Sequence, residues 1–213
     1  EQGARDAAVV LPWRRYAAPR DIDWDDPTTP LVDLRNFDPA TIRRGEVSAE
    51  AGRIAGETLA AMVELARAGE LDGITFAPLN KSALHAGGWR FRDEHQLFAH
   101  LTGHDGPFSE MNVLDGLWMS RVTSHVSLRA ALDEITGVRI EQMIGLADRT
   151  MRGVGVAQPR IAVAALNPHG GENGLFGREE IDVIAPAVAR AAGTGIGCRG
   201  PFPADTVFLK AFG

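Results

Sequence analysis

Runs with a helical repeat alternate along this chain with short apolar runs of strand length. That alternation restricts the chain to the α/β class, in which helices cover the faces of a sheet. The clearest helical run covers 48–69. Ser48 is placed as an N-cap with Glu50 in the first turn, Ile54, Ala55, Leu59, Met62, Val63 and Ala66 recur at helical spacing, and Gly69 ends the run. Further helices are predicted from Lys81 toward His85 and over 94–102, 127–135, 139–151 and 178–192. Strands are predicted over 74–77, where Pro78 breaks the run, over 117–123, and over 160–166, the last of them buried. Before Ile42 the chain is irregular. Pro12, Pro19, Pro27 and Pro30 lie among Asp21, Asp23, Asp25 and Asp26, which predicts loop with one or two edge strands. The expected organisation is an irregular segment over 1–44 and a motif-bearing α/β region over 45–213, with no compositional shift marking an internal boundary.

The 213 residues, 45% hydrophobic and 23% charged, are enough to bury a substantial core. A net charge of −6 and the lack of any Lys/Arg block exclude a nucleic-acid backbone as the main partner, because phosphate backbones are held by clustered basic surface. Cys198 stands alone, which rules out an intrachain disulfide and a cysteine-built zinc site and favours a reducing compartment. No apolar run reaches the roughly 18 residues that a membrane span needs, and no signal-peptide pattern follows Glu1. The cytoplasm is therefore expected.

Ligands of open α/β sheets collect beyond the C-terminal ends of the strands. Three stretches occupy such places: Asn80-Lys81, His125, and the glycine-rich Asn167-Pro168-His169-Gly170-Gly171-Glu172-Asn173-Gly174. Imidazoles brought from separate strand ends can converge on a divalent cation without any short spacing in sequence. A histidine at a strand end can equally be a hydrogen-bonding loop residue, so residue type and position leave both readings open for His125 and His169. Gly170, Gly171, Gly174 and Gly177 match neither the dinucleotide fingerprint nor a P-loop. They would still let backbone N–H groups approach an anion at the start of the following helix. Ser120, Ser124 and Ser127 lie near His125, but no nucleophile elbow accompanies them. Glu179 and Glu180 fall in a first turn, where the helix dipole accounts for them. His85, His100 and His104 are expected at the surface or in caps, and Cys198 as a small packed side chain.

Residues 166–180, Leu-Asn-Pro-His-Gly-Gly-Glu-Asn-Gly-Leu-Phe-Gly-Arg-Glu-Glu, closely resemble the L-N-P-H-A-G-E-G-G-x-x-G-x-E-E signature of the PdxA, or 4-hydroxythreonine-4-phosphate dehydrogenase, family. Residues 200–208, Gly-Pro-Phe-Pro-Ala-Asp-Thr-Val-Phe, are similar to the family's G-P-x-P-A-D-T-x-F. Upstream, 45–52 and 77–87 also resemble family segments, in the family's order. The resemblance implies a three-layer α/β sandwich like that of isocitrate and isopropylmalate dehydrogenases. It also implies a homodimer whose active-site cleft the partner subunit completes, and NAD- or NADP-linked oxidation of a hydroxy acid in pyridoxine biosynthesis, with decarboxylation able to follow. The family binds a divalent metal (Zn, Mg, Mn or Co) through three histidines. His125, in His125-Val-Ser-Leu-Arg129, matches the first and His169 the second, while the third belongs to an H-D-Q-G segment that would follow Gly213. The family's opening G-D-P-x-G-I-G segment is likewise outside these residues, so the chain is identified as the central part of a family member lacking terminal parts. Lys81 is assigned charge or proton handling, and Asp205 the orientation of a metal-bound histidine.

One position departs from the pattern. Where the family has G-H-T-E, with its His-Thr pair on the phosphorylated substrate, an ungapped match gives Asp93-Glu94-His95-Gln96. A carboxylate beside a phosphate dianion is repulsive unless a cation intervenes, which puts the phosphorylated substrate in question. A one-residue shift would bring His95 back to the binding position. Two other functions stay open at this level: a dehydrogenase of cis-dihydrodiol carboxylates from aromatic degradation, and a metal-binding or dimerisation module without catalysis.

Overall fold

A computed structural model describes residues 2–43 and 45–211. They form two compact units, 1–104 and 105–213, and the division falls at the Gly103 to Pro107 turn, where composition marks no shift. Glu1, Arg44 and the last two residues of the expected 1–44 and 45–213 segments lie outside the described residues.

In the first unit a short helix, α1 (Gln2–Asp6), precedes two strands, β1 (Trp13–Tyr16) and β2 (Thr29–Val32), which pair in parallel with Trp13 opposite Thr29. Arg14 and Asp26, 2.8 Å apart, tie the connection between them. The main helix, α2 (Ala49–Arg67), starts where its sequence says it should: Ser48 is extended and its Oγ accepts the Ala51 N–H at 3.1 Å. α2 buries Leu59 and Val63 against two shorter helices, α3 (Lys81–Ala86) and α4 (Glu94–Thr102), whose own cores are Ala83, Leu84 and Leu97. Asn80 caps α3 through the Ala83 N–H, and Asp93 caps α4 through the Gln96 N–H, both at 2.9 Å.

Residues 74–77 do not form the predicted strand. Strand-like composition stabilises nothing without a ladder partner. β1 and β2 pair with each other, Pro78 contributes no N–H, and Phe76 is left 40% exposed.

The second unit opens with a hairpin absent from the sequence reading, in which β3 (Met111–Leu114) runs antiparallel to β4 (Leu117–Ser120). Asp115 and Gly116 form its turn with φ of 48° and 81°, the left-handed pair that a type I′ hairpin turn requires. β4 is shorter than the predicted 117–123, so His125 follows the strand by five residues instead of standing at its end. α5 (Leu128–Glu134) and α6 (Gly137–Gly153) are capped by Ser127 and Thr136. β5 (Ile161–Ala164) pairs in parallel with β6 (Cys198–Phe202), and α7 (Ala185–Gly193), entered through a π-helical turn at Glu180–Ile184, lies between them in sequence. A last short helix, α8, covers Val207–Ala211.

β5 alternates half-buried and exposed positions, so the expectation of a fully buried strand is corrected. The core of this unit is Ile140 and Ile144 from α6, Ile184, Ala187, Val188 and Ala191 from the π turn and α7, and Cys198 from β6. The thiol accordingly packs as predicted, and burial raises its pKa. The described strands make three separate two-stranded sheets where sequence suggested one covered sheet. No described helix is long and apolar enough to cross a membrane.

Candidate functional site

The turn that leaves β5 carries the densest chemistry. Asn167, Pro168 and His169 emerge from the strand end, and the chain then runs through Gly170, Gly171, Glu172, Asn173 and Gly174 with positive φ at every one of these five residues. Glycine tolerates that conformation at little cost and asparagine adopts it more readily than most residues, whereas Glu172 is strained by it, so the turn is held by what surrounds it. Backbone bonds close it locally: Gly170 N–H donates to Asn167 O at 3.1 Å and Phe176 N–H to Gly171 O at 3.1 Å.

His169 stands out from this turn with its side chain 68% exposed and both ring nitrogens facing carboxylates. Nδ1 lies 3.1 Å from Glu172 Oε1, and Nε2 lies 3.6 Å from Asp205 Oδ2. With the proton on Nδ1, the ring donates to Glu172 and keeps its Nε2 lone pair for another partner. Asp205 follows β6, and its N–H reaches the Pro168 carbonyl at 3.4 Å, so the two segments after the paired strands meet. Sequence reasoning gave the orienting role to Asp205. The structure places Glu172 at hydrogen-bonding distance and leaves Asp205 on the opposite nitrogen. Glu172 lies three residues from His169 in the signature itself, which was the signal available for finding it.

The first turn of the next helix differs more from expectation. Glu180 does not merely favour the helix dipole: it is 5% exposed, and its Oε1 accepts the N–H groups of Leu166 and Asn167, both at 3.0 Å. Glu179 and Asp182 add further carboxylates near this helix start, and Asp182 pairs with Arg178 at 2.9 Å. The start of this helix is therefore acidic instead of being free to receive an anion.

His125 is exposed with φ of 55°, in the segment between β4 and α5. Within the second unit, no three described His, Cys, Asp or Glu side chains bring ligand atoms within 4.8 Å of one another. The structure thus joins His169 to Glu172 and Asp205, and it does not bring His125 into that group.

In the first unit the predicted residues meet in pairs. Lys81 Nζ lies 3.5 Å from Glu94 Oε2, and His95 Nδ1 lies 3.7 Å from Asp93 Oδ1, the cap of α4. Lys81 and Glu94 are the first residues of α3 and α4, so two capped helix starts fix where this cation and this carboxylate sit. The cation that would relieve Glu94 of its repulsion toward phosphate is therefore present. His85, His100 and His104 are exposed as predicted, with His100 against Phe91 at a centroid distance of 5.1 Å. Two apolar clefts of this unit, about 410 and 360 Å³, are lined around Val63, Phe98 and Ile74 and around Leu31, Phe37 and Met62, and include none of the predicted site residues.

The family model described as "Pyridoxal phosphate biosynthetic protein PdxA" matches residues 6–213. A Pseudomonas aeruginosa protein provisionally named 4-hydroxythreonine-4-phosphate dehydrogenase 2 is 47% identical over 212 residues, which is 100% of this chain and 63% of that protein. The D-threonate 4-phosphate dehydrogenase of Salmonella typhimurium is 42% identical, over 85% of this chain and 55% of its own length. Among solved structures, 4-hydroxythreonine-4-phosphate dehydrogenase from Klebsiella pneumoniae superposes with a TM-score of 0.84 at 42% identity, covering 94% of this chain and 60% of that one. A terephthalate 1,2-cis-dihydrodiol dehydrogenase from Burkholderia xenovorans gives a TM-score of 0.57 at 26% identity, over 95% of this chain and 62% of that one. The chain spans less than two thirds of the length of each of these proteins.

Proposed function

The chain belongs to the PdxA family, and from that premise we propose that it is the central part of a metal-dependent, NAD- or NADP-linked dehydrogenase that oxidises a phosphorylated hydroxy acid. The carrying observation is the His169 turn, where a signature histidine is presented with Nδ1 satisfied by Glu172 and Nε2 turned toward Asp205. An imidazole and a carboxylate make a donor set that suits Zn, Mn, Co or Mg, and a second carboxylate fixing the ligand's tautomer is the usual support of such a site. His125 and His169 are the proposed metal ligands. A cation held there would supply Lewis-acid polarisation of a hydroxyl, and a bound nicotinamide would supply the hydride acceptor.

The chain's own residues then have separable tasks. Glu172 holds the His169 ring in one orientation. Asp205, exposed and 3.6 Å from Nε2 on the opposite side of that ring, would share a bound cation with that lone pair, and its carboxylate can take the hydroxyl proton as the alcohol is oxidised. Lys81 offsets Glu94, so that Glu94 and His95 can lie near a phosphate without net repulsion. This reading extends to the homodimer, to the three-layer sandwich completed by the remaining chain, to the 1–44 and 45–213 organisation, to cytoplasmic pyridoxine metabolism, and to decarboxylation after oxidation. Phosphorylated substrates are favoured over cyclic diol carboxylates, because the relatives named for 4-phosphates are 42–47% identical while the dihydrodiol dehydrogenase is 26% identical.

The direct test is NADH and NADPH formation by the full-length protein with 4-phosphohydroxy-L-threonine, D-threonate 4-phosphate and an aromatic cis-dihydrodiol carboxylate. Turnover of the diol alone would overturn the phosphate assignment. Lys81→Met probes the same point from the protein side. It strips Glu94 of its cation and is expected to raise KM for the phosphorylated substrate about tenfold, equivalent to about 1.4 kcal/mol, whereas Glu94→Gln is expected to leave KM unchanged or lower it. An unaltered KM in the Lys81 variant removes this pair from substrate binding.

A further inference from the structure

Glu180 is a buried carboxylate that neither metal binding nor substrate binding uses. It lies at the start of the helical stretch leading into α7 and reaches back across 13 and 14 residues to Asn167 and Leu166. One oxygen collects two consecutive backbone N–H groups. These are the last donors before Pro168, which has none, and before His169. A single acceptor therefore determines how the chain leaves β5 on its way to the signature histidine. The other oxygen, Oε2, is buried without a hydrogen-bond partner among the described residues. A Cβ at Gly171, whose φ is 71°, would lie 3.0 Å from that oxygen and 3.0 Å from the Gly177 carbonyl oxygen. The glycine-rich turn thus wraps the carboxylate closely, and the bareness of Gly171 is what makes room for it.

We propose that Glu180 is a positioning residue: by binding the Leu166 and Asn167 N–H groups it sets the orientation in which His169 is offered to a cation. The cation part rests on the function proposed above, whereas the backbone part does not. Two conservative variants of the full-length protein separate position from charge. Glu180→Gln keeps an acceptor oxygen at the same reach and loses the charge. Glu180→Asp keeps the charge and withdraws the oxygens by one methylene.

If position matters, hydrogen exchange at the Leu166 and Asn167 amides rises about tenfold in Glu180→Asp and stays near wild type in Glu180→Gln. The Ile161 and Ala165 amides, which donate to Gly197 and Phe202, should be unchanged in both variants. Mn²⁺ affinity, measured by titration calorimetry, should fall at least tenfold in the Asp variant alone. The reverse order, with Gln exposed to exchange and Asp protected, would return Glu180 to a helix-dipole role and overturn the proposal. A uniform rise across β5 and β6 would also overturn it, by making Glu180 a general stabiliser. Should wild type fail to bind Mn²⁺, the metal reading falls while the exchange result still decides the backbone role.

Discussion

His169→Ala in the full-length protein is expected to lower kcat/KM on the order of a thousandfold, equivalent to about 4 kcal/mol of transition-state stabilisation, and to abolish the stabilisation that divalent cations confer. A cation at 100 times its Kd adds about 2.7 kcal/mol to a protein that binds it only when folded, which corresponds to a rise in Tm of roughly 5–10 °C for a chain of this size. Removing the imidazole should erase that rise without weakening the metal-free protein. Glu172 and Asp205 are 50% and 43% exposed, so water replaces the lost partner at little cost. Fold loss and ligand loss are thereby distinguished in one thermal-shift series with Mn²⁺, Zn²⁺ and Mg²⁺. His100→Ala serves as the control, since that exposed ring contacts Phe91 and should retain the full shift. Equal cation shifts in wild type and His169→Ala would end the metal assignment and leave the Glu172, His169 and Asp205 group as a surface hydrogen-bond cluster.

What could be read from sequence was what is local. Ser48, Asn80, Asp93 and Ser127 cap helices through N–H groups three residues ahead, and residue type with spacing is sufficient to find them. The face of α6 was equally legible, because Ile140, Met143 and Ile144 recur with the helical repeat. Features that need a distant partner were not. The 74–77 segment has strand composition but no ladder, while β6 was overlooked because Gly197, Gly200, Pro201 and Pro203 in and around it obscure its pairing with β5. The hairpin at Asp115-Gly116 was legible in principle, since Asp-Gly between apolar residues is a strong turn signal. Glu180 shows the limit most clearly. In sequence it is an ordinary first-turn acid, and only the fold brings it to backbone donors 13 and 14 residues earlier. The family signature contains His169, Glu172 and Glu180 alike, but spacing alone does not show that the two carboxylates hold the ring and the backbone that leads to it.

Gly52→Ala tests how the Lys81 end of the chemistry is held, and it pits two opposite effects against each other. Gly52 lies inside α2, where alanine is intrinsically better than glycine by about 1 kcal/mol. The packing argues the other way. A Cβ at Gly52 would overlap the carbonyl carbon and oxygen of Ala83 and lie 2.7 Å from the Leu84 nitrogen, all backbone atoms of α3 that cannot rotate aside. The close approach is mutual, because a Cβ at Gly87 would run into the Arg53 nitrogen and lie 2.5 Å from the Gly52 carbonyl carbon, and one at Gly56 would enter the Trp89 ring. α2 and α3 therefore touch backbone to backbone through glycines on both sides, and a single methyl group can be admitted only by moving α3. Overpacking of this kind costs about 3 kcal/mol or more, which exceeds the propensity gain. The net loss is expected to be about 2 kcal/mol, or roughly 4–8 °C in Tm. Since Lys81 is the first residue of α3, the displacement should also separate Lys81 from Glu94 and raise KM for the phosphorylated substrate as Lys81→Met does. Gly153→Ala, in the last turn of α6 where a Cβ would meet no atom within 4 Å, should be neutral or slightly stabilising and calibrates the comparison. A Gly52→Ala protein with wild-type Tm and KM would show that α3 adjusts freely, and that the glycine contact does not position Lys81.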